Sequence, residues 1–491
     1  MFEHSPPGEY QTGRPQTTMS VPFNRRILSA TTFGVLGCAF GLGLATSWVW
    51  NGQSQRYSPE CVAHFDAPRP LFDLEAAPVV VTITKTVQAS QPVPTPEPPE
   101  LLLKGRPTAA FKDNLLPNVQ YVTTFPGSGW TNDVLLYMNL LYLALITERV
   151  AVIPYFTPTH VGGSAPTIGF GEIFDIPRLE KALGTRILEW HQVKDPQSET
   201  IDTMGCWSVW KGVQSFNTES HFTSATMRLK LDVSYTTAPR WIKLEPGNDG
   251  DPHASFWALA ALAFPETRSE NLQSPALSPI NKAALAPDEH LLCYDYLYYV
   301  GATNTYEWEA DYSPAWRFVG RHMHWTPEIM KLADQYVRDA LTVAPADYGW
   351  RQYISVHVRH GDFAGWCEVV LKECFAPLSA IARRVEEVQD EIWEKERLIV
   401  DRVIVTSDEP NHEWWEEVNE LGWARPDHSQ TIARYGAWHP ILIDAAIQSG
   451  ATGFVGTDRS TVSTLARKRV AAWNNGPVRT VRWGSAGADD H

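Results

Sequence analysis

Residues 27–50, ILSATTFGVLGCAFGLGLATSWVW, form an apolar and small-residue run without a charge. The run is long enough to cross a hydrocarbon core of about 30 Å as a helix of about 20 residues. Beyond it the rhythm disappears. Pro, Glu, Gln, Ser and Thr dominate 51–106, and QPVPTPEPPE at 91–100 suits neither helix nor sheet, so this stretch reads as a stalk. Within it only VVVTITKTV at 79–87 is strand-like. Periodicity returns at 119–125, where VQYVTTF runs into the turn residues Pro126-Gly127-Ser128-Gly129. DVLLYMNLLYLALITE at 133–148 then has the composition of a helix, and RVAVIP at 149–154 that of a strand. A strand, Gly-containing loop, helix and strand open a Rossmann-like layer whose helix N-terminus faces a ligand crevice. The stretch 155–345 mixes helical pieces such as FGEIFDIPRLEKALG with Pro- and Gly-rich loops and yields no order of elements.

A second layer starts at YISVHVRHGDF, where Ile354, Val356 and Val358 alternate with Ser355, His357 and Arg359. Helices at 377–396, 411–421, 439–450 and 462–473 alternate with strands at 402–407 and 453–456, which favours a parallel sheet. The expected organisation is therefore α/β: a tail at 1–26, a transmembrane signal anchor at 27–50, a stalk at 51–106, and Rossmann-like domains at 107–345 and 346–491. Two such domains enclose a cleft.

Charge and cysteines refine this picture. Arg25 and Arg26 precede the apolar run, and the positive-inside bias keeps them cytosolic, so the globular part lies across the membrane. A cleaved signal peptide fits less well, because the run exceeds an ordinary h-region and Ala-Thr-Ser at 45–47 is a poor cleavage site. A net charge of −15 argues against a nucleic-acid surface, so an anionic ligand must be met by local groups. In an oxidising compartment Cys206, Cys293, Cys367 and Cys374 allow three pairings, of which Cys206–Cys293 with Cys367–Cys374 is the one suggested. The chain has no C-x-x-C spacing for a metal and no N-x-[ST] sequon.

In open α/β sheets ligands sit at the carboxyl ends of strands. Four polar clusters fall there: Gly129-Trp130-Thr131-Asn132, His357-Val358-Arg359, Ser407-Asp408-Glu409, and Gly456-Thr457-Asp458-Arg459-Ser460-Thr461. The last offers hydroxyls and free N–H groups at a helix start, which suits phosphate, although Ser460 taken alone reads first as a helix cap. Arg359 offers a bidentate fork for a diphosphate, against the simpler reading of an ion pair with Asp362. His357 and His360 lack the spacing of metal ligands. Asp249-Gly250-Asp251 matches a metal-binding D-x-D formally but lies in a Gly- and Pro-rich stretch, which predicts a solvent-exposed turn.

HVRHGD at 357–362, TSDE at 406–409, GFVGTDRSTVSTLARKR at 453–469 and GSGWTND at 127–133 together resemble the GDP-fucose protein O-fucosyltransferase family over most of 118–475. The resemblance implies a GT-B fold, GDP-fucose in the cleft, inverting transfer to a protein or glycan acceptor, and no cofactor or catalytic metal. It implies Arg359 on the β-phosphate and His357 on the ribose or diphosphate. Ser460, Thr461 and Val462 would line the phosphate pocket beside Thr457 and Gly129, Asp444 would accept from guanine N–H groups, and Asn132 would reach the diphosphate from the N-terminal domain. Some family members carry a Glu in the N-terminal loop as general base. Here that loop has no carboxylate, and Asp133 is the nearest substitute. With the anchor, the resemblance implies a type II protein of the endoplasmic reticulum or Golgi, catalytic part lumenal. A catalytically silent sugar-nucleotide- or glycan-binding module of the same fold is the alternative.

Overall fold

The computed structural model describes residues 102–489, apart from 215, 217, 218, 344–348, 350 and 368. The tail, the expected span at 27–50 and the stalk as far as 101, including the strand-like piece at 79–87, lie outside the described residues. Among the described residues, no helix is long and apolar enough to cross a membrane.

Two parallel sheets organise the described chain. In the first, β1 (Tyr121–Thr124), β2 (Val150–Ile153), β3 (Ile187–Glu189), β4 (Asp202–Ser208), β5 (Leu231–Thr237) and β7 (Leu291–Tyr294) lie in the order β3-β2-β1-β7-β4-β5. Short strands β6 (Ala254–Ser255) and β8 (Val300–Gly301) pair with each other to one side. Neighbouring side chains of this sheet bury on opposite faces, as strand geometry requires. Val122, Ile153 and Leu292 join one apolar cluster, while Tyr121, Val152 and Leu291 join another. The Trp130–Thr147 helix covers the first face and is buried over most of its length, which explains its nearly uniform apolar sequence. Strands β4 and β5 come from the middle stretch whose pattern gave no order. Among the described residues the connection between them holds only two short helices, Val209–Val213 and Ala225–Arg228, so no sustained helical period announces them.

The second sheet runs β10-β9-β11-β12, with β9 (Ile354–Val358), β10 (Val403–Ser407), β11 (Gly453–Thr457) and β12 (Val478–Val481). On β9, Ile354, Val356 and Val358 pack against Ile381, Val385 and Val388 of the Leu378–Glu396 helix. The opposite face is covered by the His439–Gly450 and Thr461–Asn474 helices, and their apolar residues run into the same cluster as the first sheet's core. Arg469 sits in this seam, fully enclosed, with its guanidinium carbon 4.4 Å from the Trp325 ring centroid and 5.7 Å from that of Phe174. Burial lowers its pKa to about 9, and the aromatic faces supply what attraction it receives. Lys468 beside it donates to the carbonyl of Ala310 at 2.6 Å. The two sheets are therefore joined by a continuous core rather than by a linker alone.

Cys206 pairs with Cys293, tying β4 to β7 where only Trp207 and Tyr294 are in ladder register, and Cys367 pairs with Cys374. The first bridge spans 87 residues of sequence, so its removal frees a long loop in the unfolded chain. Replacing both Cys206 and Cys293 by Ala is expected to lower stability by about 2–4 kcal/mol in urea titration. An unchanged midpoint would show that the β4–β7 contact does not depend on the bridge.

Candidate functional site

The first site element is the turn between β1 and its helix. Gly129 is the N-cap of the Trp130–Thr147 helix and provides no side-chain cap, so the first N–H groups of that helix remain open. Asp133, one turn in, is fully enclosed, and its Oδ1 accepts from the backbone N–H groups of Gly127 and Ser128, both at 3.1 Å. Its Oδ2 is enclosed without a partner. Burial outweighs those two hydrogen bonds and pushes the Asp133 pKa up to about 8. The side chain therefore shapes the loop from below and is shut off from solvent.

The second element is the start of the Thr461–Asn474 helix. Ser460 caps it, its Oγ accepting from the N–H of Ser463 at 3.4 Å, so the capping role read for Ser460 is realised. Thr461 and Val462 are half-buried, and the cap leaves their N–H groups open. The two helix starts meet directly. The Thr461 hydroxyl donates to Asn132 Oδ1 at 2.9 Å, and since its one hydrogen is spent there, Thr131 donates to Thr461 across 2.7 Å. Asn132 is left with its amide N–H₂ for a ligand. Two helix N-termini, each carrying about half a positive charge, thus converge on one place.

The third element is the end of β9. The His357 ring is buried, and its Nδ1 lies 2.8 Å from Ser463 Oγ, which accepts from the Thr457 N–H at 2.9 Å. Which of the two atoms carries the shared hydrogen depends on the imidazole tautomer. Burial, with the nearby Arg359 charge, lowers the His357 pKa to about 3, so the ring is a neutral donor. Thr457 donates to the His357 carbonyl at 3.1 Å and accepts from the Arg359 N–H at 2.9 Å, stapling the ends of β9 and β11 together.

Arg359 is partly exposed and forked between two carboxylates, Asp408 and Asp362, each at 2.5 Å. The ion pair with Asp362 weighed from sequence is thus present, with Asp408 as a second partner. Asp408 is fixed further by the His360 N–H at 2.8 Å, whereas the Asp362 side chain is 63% exposed. Gly361 has φ +20°, and a Cβ there would lie 2.2 Å from Asp408 Oδ2. Glycine is needed at this position because the Asp408 carboxylate passes where a side chain would be. His360 pairs with Glu409, in keeping with a supporting role.

Asp444 lies on the His439–Gly450 helix with one carboxylate oxygen 2.8 Å from His428 Nε2. His428 stacks on Tyr336. Asp249 pairs with Arg240 at 2.6 Å and is exposed. Asp251 is instead buried against His253 at 2.7 Å, so the expected solvent-exposed turn holds for only the first of these aspartates. Among the described residues no group of three or more His, Cys, Asp or Glu side chains is arranged to hold a metal ion.

Sequence reasoning missed Ser463 and His428, and it placed Thr131 in a strand-end cluster without its partner. Ser463 had a signal, since it falls three residues after the Ser460 cap and six after Thr457. The partnership of Thr131 with Thr461 spans 330 residues and leaves no local trace.

The enclosed Asp133 makes a testable demand on stability. Its folded pKa of about 8 exceeds the ordinary carboxylate value of 3.8, so between those values the folded protein holds a proton that the unfolded chain has released. Its contribution is present below the lower value and is lost as pH rises through the upper. Asp133→Asn is expected to flatten the decline in thermal midpoint between pH 5 and 8 relative to wild type. Parallel curves for the two proteins would contradict the assignment.

No protein-family model matches the chain, and no curated protein matches it. Among solved structures, it is similar to POFUT1 in its apo form, at 16% identity over 74% of this chain and 97% of that chain, with a TM-score of 0.46. It is similar to POFUT1 in complex with GDP-fucose at 15% identity over 74% and 98%, with a TM-score of 0.46. It is similar to the fucosyltransferase NodZ from Bradyrhizobium at 14% identity over 71% and 92%, with a TM-score of 0.33.

Proposed function

We propose that the chain is a glycosyltransferase that moves fucose from GDP-fucose to a hydroxyl of a protein or glycan acceptor, with inversion and without a catalytic metal. The observation that carries this reading is the meeting of two helix N-termini through Thr131, Asn132 and Thr461, beside the Arg359 fork and the neutral His357 donor. Such a cluster of donors suits a diphosphate. The motif resemblance supplies guanine and fucose as the groups on its two sides. As the bond between sugar and β-phosphate breaks, negative charge grows on the leaving oxygen. Fixed positive groups stabilise that charge without reorganising. Arg359, the open N–H groups of Thr461 and Val462, and the Asn132 amide would do so here, taking the part a divalent ion plays elsewhere.

Arg359 is paired with two carboxylates, and a diphosphate must displace one of them. Asp362 is the one to yield, because it is exposed and has no other hold, whereas Asp408 is also bound to the His360 N–H. Asp444 would exchange His428 for guanine N–H groups. The apolar run at 27–50 and the stalk would anchor the enzyme as a type II protein, with this site in the lumen of the endoplasmic reticulum or Golgi.

A silent binding module is the competing reading, favoured by the missing loop carboxylate. Turnover separates them. GDP release from GDP-fucose is expected to persist in EDTA, to exceed release from GDP-mannose, and to fall by roughly 10²–10³ in both Arg359→Ala and Arg359→Lys. Near-normal turnover in the Lys variant would remove the fork from the mechanism. Absence of GDP release from the wild type would leave the module.

A further inference from the structure

The turn 126–129 lacks the carboxylate that could take the acceptor's proton, and Asp133 beneath it is sealed from solvent. The structure places another titratable group against this turn. The His221 ring lies flat on the Tyr296 ring, with centroids 3.7 Å apart and planes 2° apart, and it meets Trp210 edge-on. The Tyr296 hydroxyl is 2.6 Å from Ser128 Oγ, inside the turn itself. The His221 backbone is fixed by its N–H to the buried carboxylate of Asp295 at 3.1 Å. Gly127 abuts the imidazole so closely that a Cβ would come within 3.0 Å of Cε1 and 3.3 Å of Nδ1. Nδ1 is enclosed without a partner, and the residue as a whole is partly exposed.

We propose that His221 is the general base of the transfer, a role that rests on the donor-site reading above. Residues 127–128 touch His221 and Tyr296, and residues 131–132 touch Thr461. The segment 127–132 therefore carries the imidazole contact at one end and the diphosphate-cradle contact at the other. Asp362 and Asp408 lie on the leaving-group side with Arg359, and inversion calls for a base on the opposite face. The acceptor hydroxyl gives its proton to His221 Nε2 as its oxygen bonds to the anomeric carbon. The bond from that carbon to the β-phosphate oxygen breaks, GDP leaves with the electron pair, and the imidazolium returns its proton to solvent. Burial holds the ring's pKa down at about 4, so it is the free base at neutral pH. The charged or titratable groups packed around it are Asp295, Asp133 and Tyr296, each with its pKa raised by burial.

Water can stand in for the unidentified acceptor, so the test uses the full chain, GDP-fucose and no acceptor. His221→Gln keeps a hydrogen-bonding side chain of similar reach and removes the base. Its GDP release is expected to fall by roughly 10²–10⁴, with GDP affinity by calorimetry within about twofold of wild type. His221→Ala is expected to slow equally and to recover part of its rate in added imidazole, which the vacated space would admit. Release by His221→Gln within about fivefold of wild type, loss of GDP affinity in step with rate, or no recovery in imidazole would each overturn the proposal. A wild-type chain that binds no GDP would overturn the donor reading first, a result distinct from all of these.

Discussion

The site depends on one contact, the Thr461 hydroxyl held between Thr131 and Asn132. It fixes the start of one buried helix against the start of another. Both ends carry partial positive charge, and neither first turn is neutralised by a nearby free carboxylate, since Asp133 is held protonated by burial over most of the pH range. Bringing such ends together is electrostatically unfavourable. The hydroxyl chain offsets part of that cost, and the continuous apolar core behind it, with Arg469 enclosed among Trp325, Phe174 and Trp473, offsets more. The arrangement is stored attraction for an anion.

The remaining polar groups are arranged around this junction of helix starts in a consistent way. His357 is kept neutral, so it donates without adding charge. Arg359 is paired with Asp362 and Asp408, which balances its charge at the end of β9. Gly361 leaves room for the Asp408 carboxylate that holds the guanidinium in place. Each device serves a fixed geometry rather than overall stability, which is why the short HVRHGD and STVS segments carry so much of the architecture.

The same logic explains what could be read from sequence. The β9 strand was legible because Ile354, Val356 and Val358 all face one helix, giving a period of two. The Trp130–Thr147 helix was legible from length and apolar content, though its start was placed three residues late because Trp130 and Thr131 are poor markers of a helix and Gly129 caps without a side chain. Strands β4 and β5 were not legible. Among the described residues their crossovers hold only short helices, and the disulfide and ladder that hold β4 are contacts distant in sequence. At the site, strand-end position singled out Arg359, His357 and Thr461. His221 and Tyr296 escaped because they lie in loops and acquire their role only where the first sheet's carboxyl ends gather.

The central claim is that two helix starts and an arginine fork together grip a diphosphate. Calorimetric titration of the full chain with GDP and with guanosine tests it most directly, since the two ligands differ only in the group the site is said to hold. The account predicts saturable GDP binding at a 1:1 ratio and guanosine binding weaker by roughly 100-fold or more, the equivalent of about 2.7 kcal/mol. Equal affinities for the two, or no binding of GDP, would contradict it.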